Sequence, residues 1–121
     1  MAEAHTESPD VELLRQVYAA FNRGETAAVL AKMHLEVDWP NGWEGGWVHG
    51  REEVGEYWKR QFKEIHSRVE PQAFRIEQDG RIAIEVHQIV HDKNGKLVAD
   101  RMVKHVYRLE DGLIRSMEIR S

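Results

Sequence analysis

Apolar positions recur along this chain at two different periods, helical in the first half and alternating in the second. Val11, Leu14, Tyr18 and Phe21 follow at spacings of three, four and three, the stripe of an amphipathic helix. Ser8-Pro9 ahead of them offers an N-cap and a proline suited to the first helical position, and Gly24 after Asn22-Arg23 offers a stop. A second, shorter helix is predicted from Thr26 to about His34, with Ala27, Leu30 and Ala31 inward. Val37-Asp38-Trp39 reads as a brief strand halted by Pro40, which has no N–H to give a ladder. A Gly/Trp-rich loop over residues 41–46 leads to Trp47-Val48-His49, a returning strand. A third helix is expected to open after Gly50 and run to about His66, with Val54, Trp58, Gln61 or Phe62, and Ile65 on one face.

The period then changes. Asp79-Gly80, Asn94-Gly95 and Asp111-Gly112 each separate runs of β-branched and aromatic residues. Asx-Gly tolerates the positive φ of tight hairpins, so three such turns predict four consecutive antiparallel strands, over about residues 70–77, 81–91, 97–109 and 113–120. In the second, Ile82, Ile84, Val86 and Val90 share a face with Gln88. In the third, Val103, His105, Tyr107 and Leu109 share one face and Met102, Lys104 and Val106 the other. Two of these strands exceed the usual five or six residues, which points to a bent, bulged sheet around the helices and an α+β class.

At 121 residues the chain suits one domain over 9–121, able to bury a core without staples, behind a flexible tail over 1–8. Its 17 basic and 21 acidic side chains form no like-charged run, so no nucleic-acid partner is expected. Apolar runs fall far short of the roughly 20 residues that cross a bilayer, and the polar first eight residues lack a signal-peptide pattern. No membrane partner is expected, and the cytoplasm is the expected location. The absence of cysteine excludes disulfides, thiolate nucleophiles and thiolate metal sites. His87 and His91 share a strand face about 13 Å apart, too far to chelate, and no His-x-His or Glu-x-x-His helical spacing occurs. Neither a metal site nor a phosphate loop is predicted, so no cofactor is implied.

Tyr18-Ala-Ala-Phe-Asn-Arg-Gly-Glu25, Val37-Asp38-Trp39-Pro40, His49-Gly50-Arg51-Glu52 and the run from Tyr107 to Ile114 follow the order helix, helix, strand pair, helix, meander. Over about residues 9–120 this resembles the nuclear transport factor 2-like superfamily, and within it the SnoaL-like and ketosteroid isomerase-like branch. The resemblance implies a cone-shaped, cystatin-like α+β barrel. Three N-terminal helices would pack on a curved four- to six-stranded, mainly antiparallel sheet around an apolar cavity. It also implies isomerases, polyketide cyclases, dehydratases or non-catalytic binders, often dimeric through the sheet. One fold hosts many chemistries, so the site must carry the function.

Three residues are candidate catalysts. If the Val103 face is the core, His105 points into it, and an imidazole titrates near neutrality. Matched to ketosteroid isomerases with one residue deleted in the turn, His105 takes the place of a protonated aspartate in the oxyanion hole; without the deletion Lys104 does. Asp38 is the candidate base, but that family's base directly precedes proline, where Trp39 stands here. A one-residue slip reverses the strand face, so either a bulge lets Asp38 reach the cavity or Trp39 lines it while the acid faces solvent. Tyr18 is one residue from the family's oxyanion tyrosine, which aligns with Val17, a rotation of about 100° on a helix. Two displacements in three argue against a ketosteroid isomerase.

Trp39, Trp43 and Trp47 recur at fours across a loop that cannot be helical, and read as a lip where a flat apolar ligand could stack, as a plug or as a dimer contact. Trp58, Val103 and Tyr107 are expected in the cavity wall with Tyr18, and Gln88 reads as a polar anchor or as the point where its strand leaves the core. Two functions fit. One is a cofactor-independent isomerase, cyclase or dehydratase that moves protons on a small carbonyl-containing or cyclic substrate, through Asp38 or His105 with Tyr18 and Tyr107 as donors. The other is a non-catalytic binder of a small apolar or cyclic molecule. A homodimer is expected, through Glu85, His87, Ile89 and His91. Convergence of Asp38 and His105 on one enclosed volume separates the two.

Overall fold

The computed structural model describes residues 8–42 and 44–120. Helix α1 (Pro9–Asn22) starts where Ser8 accepts a hydrogen bond from the Val11 amide at 3.1 Å, the capping that the Ser-Pro pair predicts. Its stripe buries Val11, Leu14, Val17 and Tyr18. Asn22 then clamps the end of α1 to the sheet: its amide donates to the Val69 carbonyl at 2.7 Å and its oxygen accepts from the Val69 amide at 2.9 Å. Helix α2 (Thr26–Leu30) is shorter than its apolar spacing suggests.

Strand β1 (Met33–Pro40) claims His34, which the helical reading placed in α2. The competing interaction is a parallel pairing with β6 (Leu113–Arg120), begun by the Ile114 amide donating to the Lys32 carbonyl at 2.8 Å. Burying Met33 and Val37 in that pairing outweighs the propensity of a five-residue helix to extend. Strand β2 (Trp47–His49) returns antiparallel to β1. Gly50, at φ 94°, makes the turn into helix α3 (Arg51–Gln61), a backbone conformation that suits only glycine.

Helix α3 ends at Gln61 rather than near His66. Ile65, which completes an apolar helical stripe on paper, is instead the first residue of β3 (Ile65–Ile76). The long β4 (Ile82–Asp92) presents unpaired backbone as far as Asp92, and β3 pairs with it from Ile65↔Asp92 to Ile76↔Ile82. Its register shifts between Pro71 and Ala73, where proline cannot donate to the ladder. Strand β5 (Leu97–Glu110) completes the meander, with shifts in register near Val90 and Leu109. The last hairpin turns on Asp111 and Gly112, both at positive φ, as a two-residue Asx-Gly connection demands.

The six strands form one sheet in the order β2-β1-β6-β5-β4-β3, antiparallel except for β1 beside β6. Its inner face carries Ile82, Ile84, Val86, Tyr107 and Met117, and with Leu14 of α1 and Val54, Tyr57 and Trp58 of α3 these make one core. This is the helix-on-curved-sheet α+β arrangement expected from the sequence. Among the described residues no helix is long and apolar enough to cross a membrane.

Candidate functional site

The alternation of β5 puts His105 on the inner face, opposite Ile84 on β4 and Ile119 on β6. His105 is only 6% exposed, whereas Lys104 is half-buried on the other face, which settles the choice between them. Two residues on, Tyr107 projects from the same face, and Tyr18 descends from α1 between them. The Tyr107 hydroxyl donates to the Tyr18 oxygen at 2.8 Å, and Tyr18 Oη lies 2.7 Å from His105 Nδ1. With Tyr18 in turn giving its own proton to Nδ1, the imidazole would carry its N–H on Nε2. Among the described residues Nε2 makes no hydrogen bond, and His105 lines a cleft.

That cleft has a volume of about 900 Å³ and opens to solvent. Aromatic rings form its inner wall. Trp39 packs edge-on against Trp58 with ring centres 5.6 Å apart and tilts over Tyr107 at 6.3 Å, while Phe21 meets Trp58 edge-on at 5.5 Å. Val103 and Gln88 also line it, and Gln88 accepts a hydrogen bond from Arg101 at 3.1 Å. Trp47, 62% exposed, stands at the rim with Ile119. Trp43 lies outside the described residues. The sequence reading passed over Ser67, Arg101 and Met117, which also border the cleft. Arg101 was open to inference, through its alternation with Val103 and His105 on one strand face, and Met117 through its register opposite Tyr107.

Burial sets the protonation states of the floor. It pushes the His105 imidazole down from its ordinary value to about 4 and the Tyr18 and Tyr107 hydroxyls well up. The floor is therefore neutral at pH 7, and the histidine does not titrate near neutrality as its residue type alone suggests. In that tautomer Nε2–H can donate a hydrogen bond towards the cleft, while the one lone pair of the neutral imidazole, on Nδ1, faces Tyr18.

Asp38 and His105 do not converge. The parity of β1 turns Trp39 into the cleft and Asp38 to the opposite face, because the irregularity in β1 falls between Met33 and Asp38, too early to rotate the acid back. The Asp38 side chain is 44% exposed and lies 2.7 Å from His49 Nδ1 and 3.4 Å from an Arg115 nitrogen. The His49 hydrogen bond, with Arg115 adding charge, holds its carboxyl below the usual carboxylate range, and Asp38 in turn raises His49. Glu118 is the one carboxylate among the described residues bordering the cleft, and Arg81 and Arg120 occupy it, at 2.7 Å and 3.3 Å. No group of three or more metal-ligating side chains assembles among the described residues.

A family model described as a SnoaL-like domain matches residues 14–117. A nuclear transport factor 2-like protein of unknown function from Burkholderia pseudomallei is 29% identical, with a TM-score of 0.82, over 94% of this chain and 91% of that one. TerC, crystallised with polyporic acid, is 27% identical, with a TM-score of 0.80, over 93% and 90%. A Mycobacterium tuberculosis protein in complex with estradiol-17β-hemisuccinate shares the fold at a TM-score of 0.79, with 18% identity over 92% of each chain. Comparison with curated proteins gives no match.

Proposed function

The chain belongs to the SnoaL-like domain family, and on that premise we propose that it binds a small, flat, carbonyl-containing molecule in the cleft between α1, α3 and the sheet, without turning it over. The relay Tyr107→Tyr18→His105, ending in an unused Nε2–H at the cleft floor, carries this reading. Such a chain of hydrogen bonds polarises each successive donor, and in a low-dielectric cleft its free end suits a carbonyl or phenolate oxygen. Trp39, Trp58 and Phe21 would hold the rings of the ligand by stacking and edge contacts. TerC, similar over nearly the whole chain, was crystallised with polyporic acid, which supports a small-molecule ligand here.

The isomerase, cyclase or dehydratase alternative needs a base. Asp38 faces away and Glu118 is engaged by two arginines, so among the described residues no free carboxylate borders the cleft to serve as that base. Acetylnaphthalene and ethylnaphthalene, alike in shape, test the proposal by quenching of tryptophan fluorescence. Saturable binding is expected for both, with the ketone at least tenfold tighter, and the His105→Leu variant should bring the two together. Equal affinities in the wild type, or no saturable binding, would refute it.

The outward sheet face is also proposed to join two copies of the chain. Ile89 is half-buried there and Met102, paired with His87, is 53% exposed, an apolar strip on an otherwise polar surface. Sedimentation should return twice the 14.1 kDa chain mass at micromolar concentration, and Met102→Glu should halve it.

A further inference from the structure

The alternation that turns His105 and Val103 inward on β5 also turns Arg101 to the inner face, opposite Gln88 on β4. Inner-face positions of a sheet ordinarily carry apolar side chains, so a guanidinium in that row stands apart. Among the described residues the charged side chains that border the cleft are Arg101, Glu118 and Arg120. Glu118 and Arg120 are committed to each other, with Arg81 also on the Glu118 carboxylate and Glu77 also near Arg120. Arg101 has no carboxylate partner among the described residues.

Its side chain makes one hydrogen bond, from Nε to the Gln88 side-chain oxygen at 3.1 Å, directly across the β4–β5 pairing. That bond holds the guanidinium and leaves the N–H donors of its two terminal nitrogens uncommitted among the described residues. A planar fork of this kind matches a carboxylate, which can accept two parallel bonds from it. Four residues of strand, about 13 Å, separate the level of Arg101 from that of His105. Arg101 is exposed and marks where the cleft opens, whereas His105 lies at the buried floor. A fused two-ring skeleton bearing a group at each end has a comparable span.

Resting on the binding reading above, we infer that Arg101 is a specificity residue at the mouth of the cleft, whose guanidinium takes a carboxylate carried by the ligand. The ligand class is thereby narrowed to a flat aromatic acid, with a carbonyl at the His105 end and a carboxylate at the Arg101 end. The chain as a whole works against an anion. Its formal net charge is -4, so the long-range field repels a carboxylate and a preference for one has to come from a local contact.

Four compounds separate this inference from the reading beneath it: ethylnaphthalene, acetylnaphthalene, acetylnaphthalene with a carboxylate on the far ring, and the uncharged carboxamide of that acid. The ketone's advantage over the hydrocarbon reports on His105. The acid's advantage over its carboxamide, alike in shape, reports on Arg101. At pH 7 and low ionic strength the acid is expected to bind the wild type about five- to tenfold tighter than the carboxamide, the gap narrowing as salt is added. Arg101→Gln should bring that ratio close to one, whatever it does to the affinity of each compound, and Arg101→Glu should invert it. Arg75→Gln changes net charge equally at an exposed position outside the cleft and should keep the ratio. Equal binding of acid and carboxamide in the wild type would overturn the inference while the ketone's preference could still stand. An acid preference that survives Arg101→Gln, or that Arg75→Gln removes as fully, would overturn it too, by assigning the carboxylate to another cation or to the overall field. An Arg101-dependent acid preference without a ketone preference would keep Arg101 and remove the His105 donor. If none of the four binds, both readings fall. The wild-type comparison needs no variant, so a misfolded Arg101→Gln would not rescue the proposal.

Discussion

Mild acid is expected to destabilise this protein chiefly through His105. In the unfolded chain the imidazole takes up a proton near its ordinary value of 6.5; in the folded protein burial among Tyr18, Tyr107 and the sheet holds it neutral down to about 4. Between those values the unfolded state binds more protons, so stability is complete above 6.5 and falls as the pH drops towards 4. Integrating that difference gives a loss of about 2 kcal/mol at pH 5 and about 3 kcal/mol at pH 4. Against the roughly 5–15 kcal/mol that holds a typical domain together, this is a large fraction. The carboxyls held low, Glu25, Asp38 and Asp79, lose their contributions only at and below the ordinary carboxylate range, so pH 5 largely isolates the histidine. His49 acts in the opposite sense: its raised pKa favours the folded state on acidification. Subtracting a variant removes that contribution. His105→Gln keeps a group able to accept from Tyr18 and cannot titrate. Urea unfolding of both proteins at pH 7 and pH 5 should show the wild type losing about 2 kcal/mol more than the variant. Parallel losses would refute the buried neutral histidine and with it the donor assigned to the cleft floor.

The relay makes an ordered prediction about its two tyrosines. Tyr18→Phe strands both the Tyr107 proton and His105 Nδ1 and should cost about 2–4 kcal/mol, whereas Tyr107→Phe leaves the Tyr18–His105 bond intact and should cost about 1 kcal/mol; denaturation midpoints that reverse this order would contradict the direction of the chain. Asp38→Asn should leave the affinity for acetylnaphthalene within about twofold, since the carboxylate lies on the outer face among His49 and Arg115, and a tenfold loss by fluorescence titration would place it back in the cleft. Affinity for the same ketone should also stay flat from pH 8 down to pH 6, because His105 takes up no proton in that interval, and a midpoint near 6.5 in the binding curve would contradict its burial.

The meander was the most legible part of the chain, because the glycine of each Asx-Gly pair supplies the positive φ its hairpin needs, joined by the Asx residue itself at Asp111, and β6 begins and ends where the alternation places it. Helix ends were less legible wherever a strand partner competed for the same residues. Apolar spacing carried α2 on to about His34 and α3 on to about His66, but β6 and β4 offered both segments a ladder of hydrogen bonds that no local signal announces. The same holds for the site. Tyr18, His105 and Tyr107 could each be placed on an inward face from periodicity, yet their joining into one directed relay depends on α1 crossing β5. That crossing is fixed partly by the Asn22 clamp on Val69, 47 positions apart in the chain.

A one-residue choice in β1 then decides which chemistry the cleft supports. Trp39 inward and Asp38 outward gives an aromatic wall, a neutral histidine at the floor and, among the described residues, no free carboxylate at the cleft; the reverse would have turned the acid towards the cleft in place of Trp39. The strand cannot offer both, because its period is two and its irregularity lies on the Met33 side of Asp38. What Asp38 does instead is tie β1 to β2 and β6, bonding His49 on one neighbour and Arg115 on the other, near the rim where Trp47 begins β2. The residue type that most suggests catalysis in the sequence thus holds the frame of the cleft. On the proposed reading, the binding chemistry would fall to residues that read as core: a histidine kept neutral by burial and two tyrosines that hold it.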